Sequence, residues 1–204
     1  MSKIDSLHYQ LCTEGAKWLR RRKNDWKNCQ KKPCHVIDEA TGRYKFCPHC
    51  KTYNIVAVEL NVIGAENPDV WGYDGYGTVL IEVKVSHADF LADQKKYWRN
   101  VEPEYTVGNR RWYLCPEGVI KPDELPEGWG LLYWDGKHIA PVVDPVERVQ
   151  GCHADLRMLY SLMFREKMTN KTYDYRGCPS TIRPQTVNGI PMKEWEKIQK
   201  QETK

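Results

Sequence analysis

Apolar positions along the chain follow two rhythms, separated by a stretch that follows neither. Over residues 4–22, Leu7, Leu11, Ala16, Trp18 and Leu19 approximate a helical stripe. Asp5 or Ser6 is placed to cap its start, and Gly15 is a mild weakness within it. From Tyr53 the period changes to two. Residues 55–62 (IVAVELNV) read as a strand, 64–68 as a loop and 69–73 as a short strand. Asp74-Gly75 is a hairpin turn signal, and 78–86 the next strand. Ser86-His87-Ala88-Asp89 has the form of a capping box and opens a helix over 87 to about 99. Residues 111–115 and 129–134 read as strands around a Pro/Gly loop. A second turn signal, Asp135-Gly136, leads to a strand near 138–143. Leu156, Leu159, Tyr160, Met163 and Phe164 predict a helix over 153–167. Beyond Thr169 the chain is polar and broken by Pro and Gly, with room for a short helix over 192–200. No internal repeat is present. The order helix, three strands, helix, strands predicts an α/β domain built on a central mixed sheet flanked by helices.

Residues 24–52 are polar, basic and rich in cysteine, with few apolar side chains to form a core. We read them as an insertion into a domain spanning 1–169, with 170–204 as a polar C-terminal extension. Within the insertion, Cys29-x4-Cys34 and Cys47-Pro48-His49-Cys50 form two short knuckles. Paired thiolates at such spacing suit tetrahedral Zn2+, and the metal would organise a segment that cannot fold unaided. The expectation is a zinc-ribbon-like insertion with a structural Zn2+ on Cys29, Cys34, Cys47 and Cys50, His35 and His49 being bystanders. Four thiolates leave no open position for chemistry. Cys12, Cys115, Cys152 and Cys178 are widely spaced and read as buried or free thiols.

Composition narrows the function classes. With 204 residues, 41% hydrophobic and 28% charged, the chain is an ordinary globular domain plus an insertion or tail. No run approaches the roughly 18 apolar residues of a membrane span. No apolar signal core follows the first residues, which argues against secretion and for the cytoplasm of a bacterial or phage-infected cell. In that setting the eight cysteines favour metal ligation over disulfides. The net charge of +4 says little. Its distribution says more: residues 17–32 carry eight Lys/Arg, Arg20, Arg21 and Arg22 among them, against one acid, Asp25. Such a block suits a phosphate backbone. It equally suits a solvated helix end whose cations offset the helix dipole.

The charges within residues 67–86 (NPDVWGYDGYGTVLIEVKVS) raise the chemical question. Strand periodicity places Leu80, Glu82, Lys84 and Ser86 on one face, and Val79, Ile81, Val83 and Val85 on a core-facing one. A half-wet strand with a plain Glu–Lys pair is the ordinary reading of the first face. The other reading is chemistry. Asp69, on the preceding strand, would lie near Glu82 across the ladder. Hard carboxylate oxygens hold Mg2+, which in turn binds phosphate oxygens and acidifies water. A lysine beside them can orient the attacking water or stabilise developing charge.

Pro68-Asp69, a short hairpin and Glu82-Val83-Lys84 resemble the signature of the PD-(D/E)XK nuclease superfamily. The runs EGAKWLRRR, VAVELNV, IEVKVSHADFLADQKKYWR and RRWYLCPEGVI look like its MmcB-type DNA-repair branch, or phage and mobile-element relatives. The resemblance covers about residues 5–22 and 53–135. It implies a restriction-endonuclease-like core and Mg2+- or Mn2+-dependent hydrolysis of DNA phosphodiesters. Asp69 and Glu82 would be the metal ligands and Lys84 the catalytic lysine. A third acid from the first helix or first strand is common in the superfamily; Glu14 and Glu59 are the candidates. Gln94 and Lys95 are placed either to contact the DNA backbone or to form a solvated helix face. Monomer and homodimer both stay open. Two further function classes stand beside the nuclease. One is a nucleic-acid-binding module with the fold kept and turnover weak or absent. The other is a zinc-ribbon adaptor in which the acidic site is coincidental.

Overall fold

The computed structural model describes residues 6–20, 53–62, 65–75, 77–99, 106–148 and 153–168, and four two-residue strands elsewhere. The chain divides into two compact units, Met1–Arg21 with Thr52–Thr169, and Arg22–Lys51 with Asn170–Lys204. Of the second unit, two short antiparallel ladders are described: Ile37–Asp38 with Arg43–Tyr44, and Thr186–Val187 with Ile190–Pro191. The expected zinc ligands Cys29, Cys34, Cys47 and Cys50, and the basic residues Arg21 and Arg22, lie outside the described residues.

In the first unit, helix α1 spans Leu7–Leu19. Ser6 is its cap, accepting the Tyr9 N–H at 3.2 Å, and Arg20 closes the other end. Six strands follow: β1 (Ile55–Val58), β2 (Val70–Tyr73), β3 (Thr78–Val83), β4 (Arg110–Pro116), β5 (Gly130–Trp134) and β6 (Ile139–Val143). Helix α2 (His87–Gln94) lies between β3 and β4, and α3 (His153–Arg165) follows β6. The sheet order is β1-β2-β3-β4-β5-β6. Steps β3–β4 and β4–β5 are parallel and the rest antiparallel, so the sheet is mixed.

Both faces of the sheet are covered. On one, Leu11, Cys12, Trp18 and Leu19 of α1 pack on Val70, Val79, Ile81, Val83, Trp112 and Leu114. On the other, Phe90 of α2 and Ala154 and Met158 of α3 pack on Trp71, Leu80, Tyr113 and Leu131. Every residue of β3 is buried, and Glu82 and Lys84 are each 2% exposed. The half-wet strand face expected from the charge pattern is therefore corrected: α2 and α3 close it. Gly15, a weakness by helix propensity, sits where α1 meets the sheet. A Cβ there would lie 3.2 Å from Leu114 Cδ2, so the missing side chain lets the helix lie close.

Three boundaries near the charged residues differ from the periodicity. β1 stops at Val58 because Glu59 turns to φ +48, outside the strand region. β3 stops at Val83, although the Lys84 N–H still bonds the Leu114 carbonyl at 2.9 Å. α2 stops at Gln94, and one 3-10 turn, Tyr97–Arg99, replaces its expected last turn.

Candidate metal centre

The ladder register assembles the acids. Val58 pairs with Val70, and Val70 with Ile81. One step further along each ladder sets Asp69 between Glu59 and Glu82, and the Glu59 N–H donates to the Asp69 carbonyl at 2.9 Å. Three acidic residues thus occupy neighbouring backbone positions in one row across β1, β2 and β3, where the strands end or begin. Like charges directly opposed destabilise a sheet, so such a row calls for positive charge. Glu59 holds a left-handed backbone, which costs about 1–3 kcal/mol at a non-glycine residue and concentrates at functional sites.

The Asp69 side chain is fixed from two directions. Its Oδ2 accepts the backbone N–H of Val83 at 2.7 Å, which clasps it onto the Glu82-Val83-Lys84 segment. Its Oδ1 lies 3.4 Å from Nε2 of His8. The other ring nitrogen, Nδ1, is 3.7 Å from Sγ of Cys12, one helical turn along α1. One ring nitrogen of His8, the thiol sulfur and an Asp69 oxygen all lie within 4.8 Å of one another. The hydrogen bond to Asp69 holds the His8 pKa above its usual value, against the effect of burial. A Cys–His–Asp chain is also how nucleophilic cysteines are activated. That use requires an accessible thiolate. Cys12 is fully buried, and burial together with the charges of Asp69, Glu59 and Glu82 pushes its thiol far up. A nucleophilic role is therefore set aside.

Behind the row lies a buried ionic network. Lys84 Nζ is 2.9 Å from Glu82 Oε2 and 3.1 Å from Asp93 Oδ1. Asp93, wholly buried in α2, also accepts from Arg99 Nε at 2.7 Å and from the Tyr113 hydroxyl at 2.8 Å. The more exposed Lys96 reaches it at 2.8 Å. Arg99 continues to Glu82 at 3.3 Å and to Glu66, which Arg111 also binds. The Arg99 and Arg111 guanidinium groups lie over the Trp129 ring.

These surroundings split the carboxylates. Burial, then the charge of Asp69, raises the Glu82 pKa to about 7 against the pull of Lys84 and Arg99. Burial also works against ionised Asp93, but hydrogen bonds and charge from Arg99, with Lys84, hold its pKa far below the ordinary range. Burial opposes charge on Lys84, yet Glu82 and Asp93 outweigh it and raise its pKa. Glu82 is thus a buried acid, paired with Lys84 and Arg99, whose place along the ladder adjoins a second acid, Asp69. Two carboxylates in that condition fit a hard divalent cation such as Mg2+ or Mn2+.

The remaining candidates separate clearly. Glu59 adjoins Asp69, whereas the Glu14 carboxylate pairs with Lys17 at 2.7 Å. Arg20 is exposed at the end of α1, Gln94 is half-buried at the end of α2, and Lys95 is exposed beside it. Lys96, not Lys95, reaches the acids. Ser86 is the cap of α2, accepting the Asp89 N–H at 3.2 Å. Sequence reasoning passed over His8, Glu66, Asp93 and Arg111, and gave no role to Lys96 and Arg99, which follow Gln94 and Lys95. The local signals available were the His8–Cys12 and Asp93–Lys96 spacings of one helical turn.

No family model and no curated protein matches the chain. Among solved structures it is similar to a protein of unknown function from Silicibacter pomeroyi, at 19% identity and a TM-score of 0.42, over 59% of this chain and 85% of that one. Among the described residues, no helix is long and apolar enough to cross a membrane.

Proposed function

We propose that this chain is a divalent-metal-dependent deoxyribonuclease of the PD-(D/E)XK type, with a restriction-endonuclease-like core. One observation carries the reading: the Asp69 carboxylate is hydrogen-bonded to the peptide N–H of Val83, the residue between Glu82 and Lys84. Asp69 and Glu82 hold the cation, with Glu59 as the third acid of the row. When bound, Mg2+ or Mn2+ polarises the phosphoryl group and acidifies water. Lys84 presents an ammonium group whose charge Glu82 and Asp93 sustain, so a phosphate oxygen meeting it gains a charge-assisted hydrogen bond. Lys96, with its side chain 54% exposed, offers a second cation to the DNA backbone. Structural Zn2+ on Cys29, Cys34, Cys47 and Cys50 belongs to the same proposal.

The second reading is a nucleic-acid-binding module without turnover. What favours it is the near-complete burial of Glu82 and Lys84 in a network already filled with partners. An assay separates the two. Labelled single-stranded, double-stranded and branched DNA are incubated with the protein and Mg2+ or Mn2+, beside Lys84→Ala. Cleavage reduced at least ~100-fold in the variant is the expected result. Binding without cleavage by either protein selects the second reading. Neither binding nor cleavage removes both and leaves an adaptor role for the zinc-ribbon segment.

A further inference from the structure

We propose that the cation held at Asp69 is a first-row transition ion of the Mn2+ class in preference to Mg2+, with His8 Nε2 as its nitrogen ligand. The inference starts from the cation site of the proposed nuclease and names its metal.

Three observations carry it. First, His8 Nε2 and Asp69 Oδ1 are 3.4 Å apart. Two donors near 2.1 Å from a shared ion lie roughly 3.0–3.4 Å apart, for octahedral through tetrahedral angles. The backbone therefore needs no rearrangement for both to reach one ion. Second, the imidazole is held in place. Cys12 Sγ sits 3.7 Å from Nδ1 on the same helix and is completely buried. A partner on the second ring nitrogen is the usual way a ligating histidine is oriented, with its lone pair left for the metal. With Nε2 on a cation, the ring proton resides on Nδ1 and points to the sulfur. Third, Asp69 supplies a carboxylate oxygen, and the backbone positions of two further acids, Glu59 and Glu82, adjoin it. Adding one imidazole nitrogen to such a set changes the selectivity. Mg2+ favours carboxylate and water oxygens and keeps its waters, whereas first-row transition ions accept imidazole readily.

The test reads the metal, not the cleavage. The full-length protein is titrated with MnCl2 under electron paramagnetic resonance, with MgCl2 as competitor, and bound Mn2+ is examined by spin-echo spectroscopy. Mn2+ should bind at one site, resist displacement by equal Mg2+, and show modulation from a directly bound nitrogen. In His8→Ala that modulation should vanish, and Mn2+ affinity should fall about 10–100-fold. The wild-type spectrum needs no variant, and circular dichroism checks that the variant is folded. Absence of nitrogen modulation in the wild type, its persistence in His8→Ala, or displacement by equal Mg2+ would overturn the proposal. Nitrogen-bound Mn2+ without DNA cleavage leaves the cation site standing and removes the nuclease reading. Cleavage with a cation lacking nitrogen does the reverse.

Discussion

The two oxygens of the Asp69 carboxylate serve different ends, one holding the Val83 amide and the other facing His8. Substitution can separate them. Asp69→Asn keeps an acceptor for the amide but removes the charge. It should retain stability within about 1 kcal/mol and lose cleavage by at least ~100-fold. Asp69→Ala also strips the amide of its partner, so it should lose about 1–3 kcal/mol as well. Urea midpoints and cleavage rates measured together check both; a fully active Asp69→Asn would remove Asp69 from the proposed cation site. At this scale the sequence was partly legible. Asp69, Glu82 and Lys84 are near neighbours along a hairpin, so spacing alone could bring them together. His8 stands some sixty positions earlier, on a helix whose rotation against the sheet no local pattern sets. Glu14 belongs to the same helix, yet its carboxylate pairs with Lys17 instead.

At the scale of elements, Asp93 ties α2 to the sheet through Lys84 of the β3 end and Tyr113 of β4. Its folded pKa lies below the ordinary value of 3.8. A depressed carboxylate contributes stability that is fully present above its ordinary pKa and is lost as pH falls towards the folded one. The protein should therefore lose thermal stability as pH drops below about 4, more steeply than Asp93→Asn, although that variant is the less stable at pH 7. Melting curves across the acid range test this, and parallel slopes would contradict the assignment. Gly15 bears on the other face. Gly15→Val places new methyl groups against Leu114, Ile81 and Val70 and should cost about 1–3 kcal/mol, read from the urea midpoint. Element order and the Asp74-Gly75 turn could be read from periodicity. The ends of β1 and β3 could not, since Glu59 leaves the strand conformation through a backbone angle that its side chain does not advertise.

For the whole molecule, charged positions in β3 suggested a solvent-facing strand, because an isolated buried ion is costly. The strand is buried nonetheless. Asp93, Arg99 and Glu66 come from segments outside the strand and complete the ion pairs. Such long-range pairing is invisible to any local window, which is why the layered α/β plan was readable and the closed second face was not. The insertion supplies a separate test. Cys47→Ser should lower both bound zinc and thermal stability, and unchanged zinc stoichiometry by elemental analysis would eliminate the four-cysteine site.

The hydrogen bond from Val83 to Asp69 also makes the protein its own indicator. An amide proton that ends on a carboxylate has a resonance frequency that follows the charge of that carboxylate. Val83 lies at the end of the buried third strand of the sheet, so its proton should exchange slowly with solvent and stay visible through a long titration. Nuclear magnetic resonance on isotopically labelled protein could then follow one peak through acidification or ion uptake. No dye, substrate or tag would be needed to see whether the proposed cation binds.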